Sequence, residues 1–243
     1  FKQYSNEGAL YVSDDIELSN DLSVHAGLRY SCFQYGDDVN INSFLRKEYT
    51  RDTTNMHRHI EPRFSMRYTI NKSTSIKASY TENYQYIHLA SMSSVSMPTD
   101  LWIPSTSRIK PQYAKQLAAG IFKNFGDNTW ETSIEVYAKQ MDNLIEYKEG
   151  VFPEDNTNTS QDDAFTFGSG TSYGVELFLK KRLGKTTGWM GYTYSKTDRL
   201  FEDLNDAEMF PAKYDRTHDL SVTITHKFNK KWTLSSVFVY ATG

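Results

Sequence analysis

The sequence predicts an all-β chain: an antiparallel transmembrane β-barrel segment of about ten strands, joined alternately by short turns and long loops. Three observations predict it. Apolar and polar residues alternate with a period of two along most of the chain. The connections between alternating stretches run short, long, short, long. Large rings gather at both ends of those stretches. A period of two puts successive side chains on opposite faces of a strand. Strict alternation of turns and long loops suits a barrel with tight turns on one side of a membrane and loops on the other.

Each strand can be justified in order. The first is a weaker alternation over 8–18. In the second, Leu22, Val24, Ala26, Leu28, Tyr30 and Cys32 alternate with Ser23, His25, Gly27, Arg29 and Ser31. In the third, Ile60, Pro62, Phe64, Met66 and Tyr68 alternate with Glu61, Arg63, Ser65 and Arg67. Stretches 74–82 and 114–123 follow. The sixth sets Trp130, Thr132, Ile134, Val136 and Ala138 against Glu131, Ser133, Glu135, Tyr137 and Lys139. The seventh sets Tyr173, Val175, Leu177 and Leu179 against Gly174, Glu176, Phe178 and Lys180. Stretches 187–197, 218–227 and 232–242 complete the count. Turn residues such as Ser19-Asn20-Asp21, Gly126-Asp127-Asn128 and Leu183-Gly184-Lys185 close the short connections. The long ones run over about 34–57, 83–110, 148–169 and 198–217, lengths uncommon without function. Trp130, Trp189 and Trp232 follow short turns, while Tyr30, Phe33, Tyr80, Tyr84, Tyr192, Tyr194, Phe238 and Tyr240 lie near long-loop ends. Two interfacial ring belts are expected from this placement.

Composition closes off other classes. The chain has 243 residues with 17 Tyr, 14 Phe and 4 Trp at a mean hydropathy of −0.62. So many rings argue against disorder. No apolar run approaches the roughly 18 residues of a spanning helix. Net charge is −3 with both signs interspersed, which speaks against a nucleic-acid partner. Cys32 is the single cysteine and forms no intrachain disulfide. The chain opens at Phe1 without a leader, so an export signal is expected outside it.

Candidate chemistry is sparse. His57, His59 and Glu61 share one strand face, but three ligands on a straight strand span roughly 13 Å, and a polar lumen strip is the expectation. Glu149, Glu154, Asp155, Asp162 and Asp163 make the third long loop acidic without calcium-loop spacing. Glu131 and Glu135, four residues apart on one face, sit about 13 Å apart by strand rise; no cleft around them supports glycosidase chemistry. Lys180-Lys181-Arg182 reads as a solvated or headgroup-facing turn. No phosphate loop or zinc-protease helix is present, and the one Gly-x-Ser-x-Gly run, Gly170-Thr171-Ser172-Tyr173-Gly174, leads into strand alternation and not into the helix that a nucleophile elbow needs. The expectation is a non-enzyme without catalytic residues, metal site or cofactor. In the second long loop, Tyr84, Tyr86, His88 and Trp102, with Pro104, offer flat rings and a polar group as substrate-binding candidates; exposed rings on a long loop often bind, and packing against neighbours is the alternative.

These residues carry a resemblance. Gly27-Leu28-Arg29-Tyr30, Glu61-Pro62-Arg63-Phe64, Lys110-Pro111-Gln112 before Gln116-Leu117-Ala118-Ala119-Gly120, Asn143-Leu144-Ile145, Tyr173-Gly174-Val175-Glu176, Tyr192-Thr193-Tyr194-Ser195 and Tyr214-Asp215-Arg216 with His218-Asp219 stand in family order. The chain resembles the barrel region of TonB-dependent outer-membrane receptors in the style of Bacteroidetes sequences. Gln112 stands where that family usually has Glu. The resemblance implies that residues 1–243 are part of a single barrel domain of about 22 strands, with the plug domain and the final strands outside this chain. It also implies energy-dependent uptake of a scarce nutrient, an iron chelate, vitamin, peptide or glycan. Expected partners are outer-membrane lipid, the plug, TonB and a surface lipoprotein, with the long loops extracellular. A non-transporting barrel, such as an adhesin or porin-like protein, is the alternative. A secreted carbohydrate-binding β-protein is a third reading.

Overall fold

The structure, a computed structural model, describes residues 5–35, 55–90, 101–150 and 161–242. Its strands in chain order are β1 (Ser5–Glu17), β2 (Leu22–Tyr35), β3 (Asn55–Asn71), β4 (Thr74–Gln85), β5 (Ile87–Ala90), β6 (Leu101–Pro104), β7 (Gln112–Phe125), β8 (Trp130–Tyr147), β9 (Phe165–Lys181), β10 (Thr186–Phe201), β11 (Phe210–Pro211), β12 (His218–Lys227) and β13 (Thr233–Ala241). Ten long strands form one antiparallel sheet in chain order, β1-β2-β3-β4-β7-β8-β9-β10-β12-β13. The two-residue β11 pairs with β10, and β5 pairs with β6 as a separate hairpin in the second long loop. All ten expected strands are present. Most of the length that alternation missed lies at the long-loop end. There β2 continues to Tyr35, β3 begins at Asn55, β8 runs to Tyr147 and β9 starts at Phe165. A tilted strand crosses a bilayer in about 9–11 residues, so the 17 residues of β3 and 18 of β8 extend beyond one.

Register carries the alternation from strand to strand. Leu28 sits opposite Pro62 and Tyr30 opposite Ile60, while Arg29 meets Glu61 and Ser31 meets His59. Directly opposed residues share a face. One face is therefore apolar and the other polar, with Arg29 and His25 on the polar, lumen side. On β8, Ile134 on the apolar face is 56% exposed while its neighbour Ser133 is 7% exposed. A soluble sandwich would cover the apolar face with a second sheet; here the ten strands form a single layer. Outward apolar surface of this extent is what a lipid-facing wall requires.

Buried side chains concentrate at the long-loop end: Ser31 to Gln34, Tyr86, His88, Ile109, Leu144 to Tyr147, Phe165, Arg199 and Phe201. The ring belts are partly as expected. At the short-turn end Trp130 stacks on Phe125 and Lys181 lies over its ring. Trp189, however, is opposite Lys180 and stacks on Phe178, which puts it on the lumen face. Phe33 is also withdrawn from the belt, being completely buried under Tyr86.

A bulge reverses the faces of β8. Met141 is opposite Gly170 but Leu144 is opposite Gly168, and Asn143 takes a positive φ of 57°. One extra residue moves Leu144 and Glu146 to the lumen side, and Ile145 and Tyr147 to the other.

Candidate functional site

The long-loop rim holds the only sequence-level binding candidates, and its geometry starts from a split in the wall. β3 pairs with β2 as far as Asn55, yet its pairing with β4 stops at Arg63–Thr81. Beyond that point β4 continues with β7 up to Gln85–Gln112. Side chains bridge the split: Arg63 Nη2 donates to Asn83 Oδ1 at 3.1 Å, and the rings of His59 and Tyr84 stack with centroids 3.8 Å apart.

Tyr86 lies at the centre. Its ring stacks parallel on Phe33 at 5.1 Å. Its hydroxyl is 2.6 Å from Ser31 Oγ and 3.0 Å from His59 Nδ1. Ser31 Oγ also reaches Glu61 Oε1 at 2.7 Å. Burial is the main reason the Tyr86 hydroxyl is pushed up to about 12. Glu61, itself buried, has Arg29 at 3.8 Å and Arg63 at 3.6 Å. His57 Nε2 is 3.1 Å from the Thr106 carbonyl oxygen. His88 is fully buried, with Nε2 2.9 Å from Ser105 Oγ, and burial lowers its imidazole to about 4.

The hairpin β5–β6 extends this seat. His88, Ala90 and Ile103 turn inward, and Ala90, Ile103 and Ile109 join Ile145, Tyr147, Ala164 and Phe165 in one apolar cluster. Arg108 Nη1 donates to Asp163 Oδ1 at 2.7 Å, tying the second long loop to the third. On the outer face of the hairpin Leu89 is opposite Trp102, and Trp102 is 67% exposed.

The structure thus divides the four binding candidates. Trp102 offers a free ring face. Tyr84 is half-buried between His59 and Tyr113. Tyr86 and His88 are buried, which corrects the expectation of exposed rings at those two positions. The reason is the alternation of the hairpin, which drives every second side chain into the wall. Ser31, Phe33, Thr106 and Ile109, which form the seat, have no local signature in the sequence.

A second buried cluster anchors the fourth long loop. Glu146 accepts from Arg199 Nη1 and, at 2.6 Å, from Lys213 Nζ; Arg199 Nη2 donates to the Tyr214 hydroxyl. Asp215 Oδ1 accepts from the Thr197 backbone at 2.7 Å, and Thr166 Oγ1 donates to Asp203 Oδ2 at 2.9 Å.

His57, His59 and Glu61 each have the separate partners named above. Among the described residues, no three histidine, cysteine or carboxylate side chains are placed to hold a metal ion. Glu154 and Asp155 lie outside the described residues. Glu131 faces Lys180 at 3.7 Å and Arg182 at 2.9 Å, so two members of the basic run, expected to be solvated or headgroup-facing, are half-exposed and paired with a carboxylate. Two shallow depressions mark the lumen face. One, of about 470 Å³, is lined by Asp15, His25, Arg67, Lys77, Phe122 and Glu135. The other, of about 430 Å³, is bordered by Glu131, Glu176, Phe178 and Thr193.

Known proteins share this architecture. Among curated proteins none matches the sequence. Solved structures do match in fold. The alcaligin outer-membrane receptor FauA from Bordetella pertussis superposes with a TM-score of 0.63 at 16% identity, covering 98% of this chain and 37% of that one. The ferric-catecholate import receptor Fiu from E. coli K12 gives 0.65 at 14%, covering 98% and 34%. The ferripyoverdine receptor of the outer membrane of Pseudomonas aeruginosa gives 0.65 at 16%, covering 96% and 28%. The chain therefore spans about a third of the length of each. Residues 1–242 match the family described as "TonB dependent receptor-like, beta-barrel". With its single lipid-facing sheet and polar inner face, the chain belongs to the TonB-dependent receptor family, as part of the β-barrel.

Proposed function

We propose that the chain forms part of the wall of an outer-membrane transporter that takes up a scarce nutrient by an energy-dependent route. The observation that carries this is the two-faced wall: an apolar outer face and an inner face of ionic and hydrogen-bonding groups, Glu61, Arg29, Arg63, Asp15, His25, Lys77 and Glu135. A porin-like or adhesin barrel has a polar interior as well; what favours a transporter over it is the family match along residues 1–242. In this reading residues 1–243 are one part of a single barrel domain. A plug domain packs against the lumen depressions, TonB supplies the energy, and the long loops face outward. A surface lipoprotein is a further partner to be sought. Trp102 and Tyr84 at the rim are the ligand contacts, with Tyr86 and His88 holding the hairpin that presents Trp102.

The fold neighbours include receptors named for alcaligin, ferric catecholate and ferripyoverdine, which makes a ferric chelate the first ligand class to test. The test is uptake of labelled ferric chelates, vitamin, peptide and glycan by cells making the full-length protein, with and without functional TonB. TonB-dependent accumulation of one class that falls on Trp102→Ala supports the reading. Passive entry that ignores TonB, or no entry of any class, favours the porin-like or adhesin alternative.

A further inference from the structure

The two described arms of the second long loop, 86–90 and 101–109, are fastened to the wall at three places. On the β2–β3 side, Tyr86 sits on Phe33 with its hydroxyl between Ser31 and His59, and His57 Nε2 meets the Thr106 carbonyl. Between the arms, the Ser105 N–H donates to the Tyr86 carbonyl at 2.7 Å, and buried His88 meets Ser105 Oγ. On the β8–β9 side the contact is the apolar cluster and the Arg108–Asp163 pair. The arms lie across the edge where β3 and β4 have parted.

The seat is built for neutral imidazoles. His88 faces His57 and Ser105, and among the described residues its Nδ1 has no hydrogen-bond partner. Tyr147 is the titratable group that β8 brings to the apolar cluster, and Glu146 is turned to the opposite face, bonded to Arg199 and Lys213. His57 faces Thr106 and His59. His59 faces His57, Tyr84, Tyr86 and Glu61. Glu61 favours a charged His59, but it is already shared by Arg29, Arg63 and Ser31. Glu7 reaches Arg29 at 4.0 Å, and Asp163 is held by Arg108. Among the described residues, then, the seat can hold one cation against Glu61 but not three.

We propose that these arms form a pH-released strap, docked across the β3–β4 split near neutral pH and freed in mild acid when His57, His59 and His88 take up protons. Freed, the strap uncovers the split and withdraws the Trp102 ring from its position over the rim.

The direction follows from linkage. An undocked imidazole titrates near 6.5, whereas burial holds docked His88 at about 4 and lowers His57 and His59 as well. Between those values the undocked state binds more protons, so docking is complete above the undocked value and weakens as pH falls. The slope from His88 alone approaches about tenfold per pH unit across that window, and it flattens below the docked value.

The proposal rests on the reading of this rim as the mouth of the barrel, but its test needs neither ligand nor uptake, so the two can fail separately. A nitroxide label at Leu89→Cys, in full-length protein carrying Cys32→Ala and embedded in bilayers, reports strap mobility. Labels at exposed Ile134→Cys on the wall serve as control. The Leu89 label is expected to sharpen between pH 6.5 and 4.5 while the wall label stays unchanged. The transition should shrink in His88→Asn, which keeps a polar contact to Ser105 without titrating, and vanish in the triple His57→Gln, His59→Gln, His88→Asn variant. An unchanged spectrum across the range overturns the proposal, as does a transition that persists in both variants. If the triple variant is mobile at every pH, His88→Asn alone decides: a reduced transition there supports the proposal and a full wild-type transition overturns it.

Discussion

The wall and the rim of this chain are held together by different means. In the wall, each strand between β1 and β13 is fixed by backbone ladders to two neighbours, and large side chains such as Ile134 and Leu117 point away from the protein. At the rim, backbone pairing lapses between β3 and β4, and buried side chains take over: Phe33 beneath Tyr86, Glu146 between Arg199 and Lys213, Ile109 among residues of β8 and β9. The difference follows from the surroundings. Lipid supplies apolar contact but no hydrogen bonds, so the wall must satisfy its backbone internally and needs no core. Water surrounds the rim, so the rim needs a core of its own.

The comparison can be broken most severely at Glu146. Glu146→Gln leaves Arg199 and Lys213 without their carboxylate, and loss of one member of a buried ion pair costs about 3–5 kcal/mol. The fourth long loop should then be cut readily by protease between Glu202 and Arg216, while heat-resistant migration of the folded wall on gels persists. Equal cutting of variant and parent would show that the cluster does not anchor the loop.

Ile134→Arg tests the wall. A lipid-facing arginine near the midplane costs about 2–4 kcal/mol, so urea unfolding in vesicles should shift by that amount. Ser23→Arg, on the exposed lumen face, should shift it far less. Similar shifts for the two would mean that the faces have been assigned wrongly.

Gly174 gives a smaller, more local effect. A Cβ there would lie 2.8 Å from the Tyr137 ring and 2.7 Å from the Tyr194 carbonyl oxygen. Gly174→Val should cost about 1–3 kcal/mol by overpacking. Adding Tyr137→Ala should recover part of it, since only the ring can be removed and the carbonyl stays. Denaturant midpoints of the single and double variants measure the coupling.

Arg108→Ala should matter least. Its pair with Asp163 is solvent-exposed on both sides, and such pairs contribute under about 1 kcal/mol. Thermal unfolding should barely move, and a large loss would show that the apolar cluster alone cannot hold the second loop.

The sequence made the wall legible because lipid on one side and lumen on the other impose a strict period of two. All ten strands could be found from residues such as Leu22 to Cys32 and Trp130 to Lys139 without any long-range information. The rim obeys no such period. The bulge at Asn143 shifts parity within β8, so Glu146 faces the lumen against the count from Glu131. Trp189 follows a turn, as a belt residue would, yet register with Lys180 turns it inward. The burial of Tyr86 depends on Phe33, 53 positions away, and on a split between β3 and β4 that no local pattern announces. Of the candidate site, the rings were visible in the sequence and their packing was not.

The meander order of the sheet bears on how such a wall comes into being. Every long strand pairs only with its neighbours in chain order, β1 and β13 with one each in the described sheet and the rest with two, the β5–β6 hairpin being simply stepped over, and no paired residues of the wall are further apart along the chain than Trp130 and Lys181. Loop-closure entropy is therefore low at each step, and contacts this local favour rapid formation. Growth can proceed hairpin by hairpin, each new strand templated on the edge left by the last. A partly assembled wall exposes two unsatisfied edges to lipid until it closes, which penalises pausing. The short turns help fix register at each step, and each strand's own alternation fixes its face, so an insertion of one residue at Asn71-Lys72 would be taken up locally, as the extra residue at Asn143 is within β8.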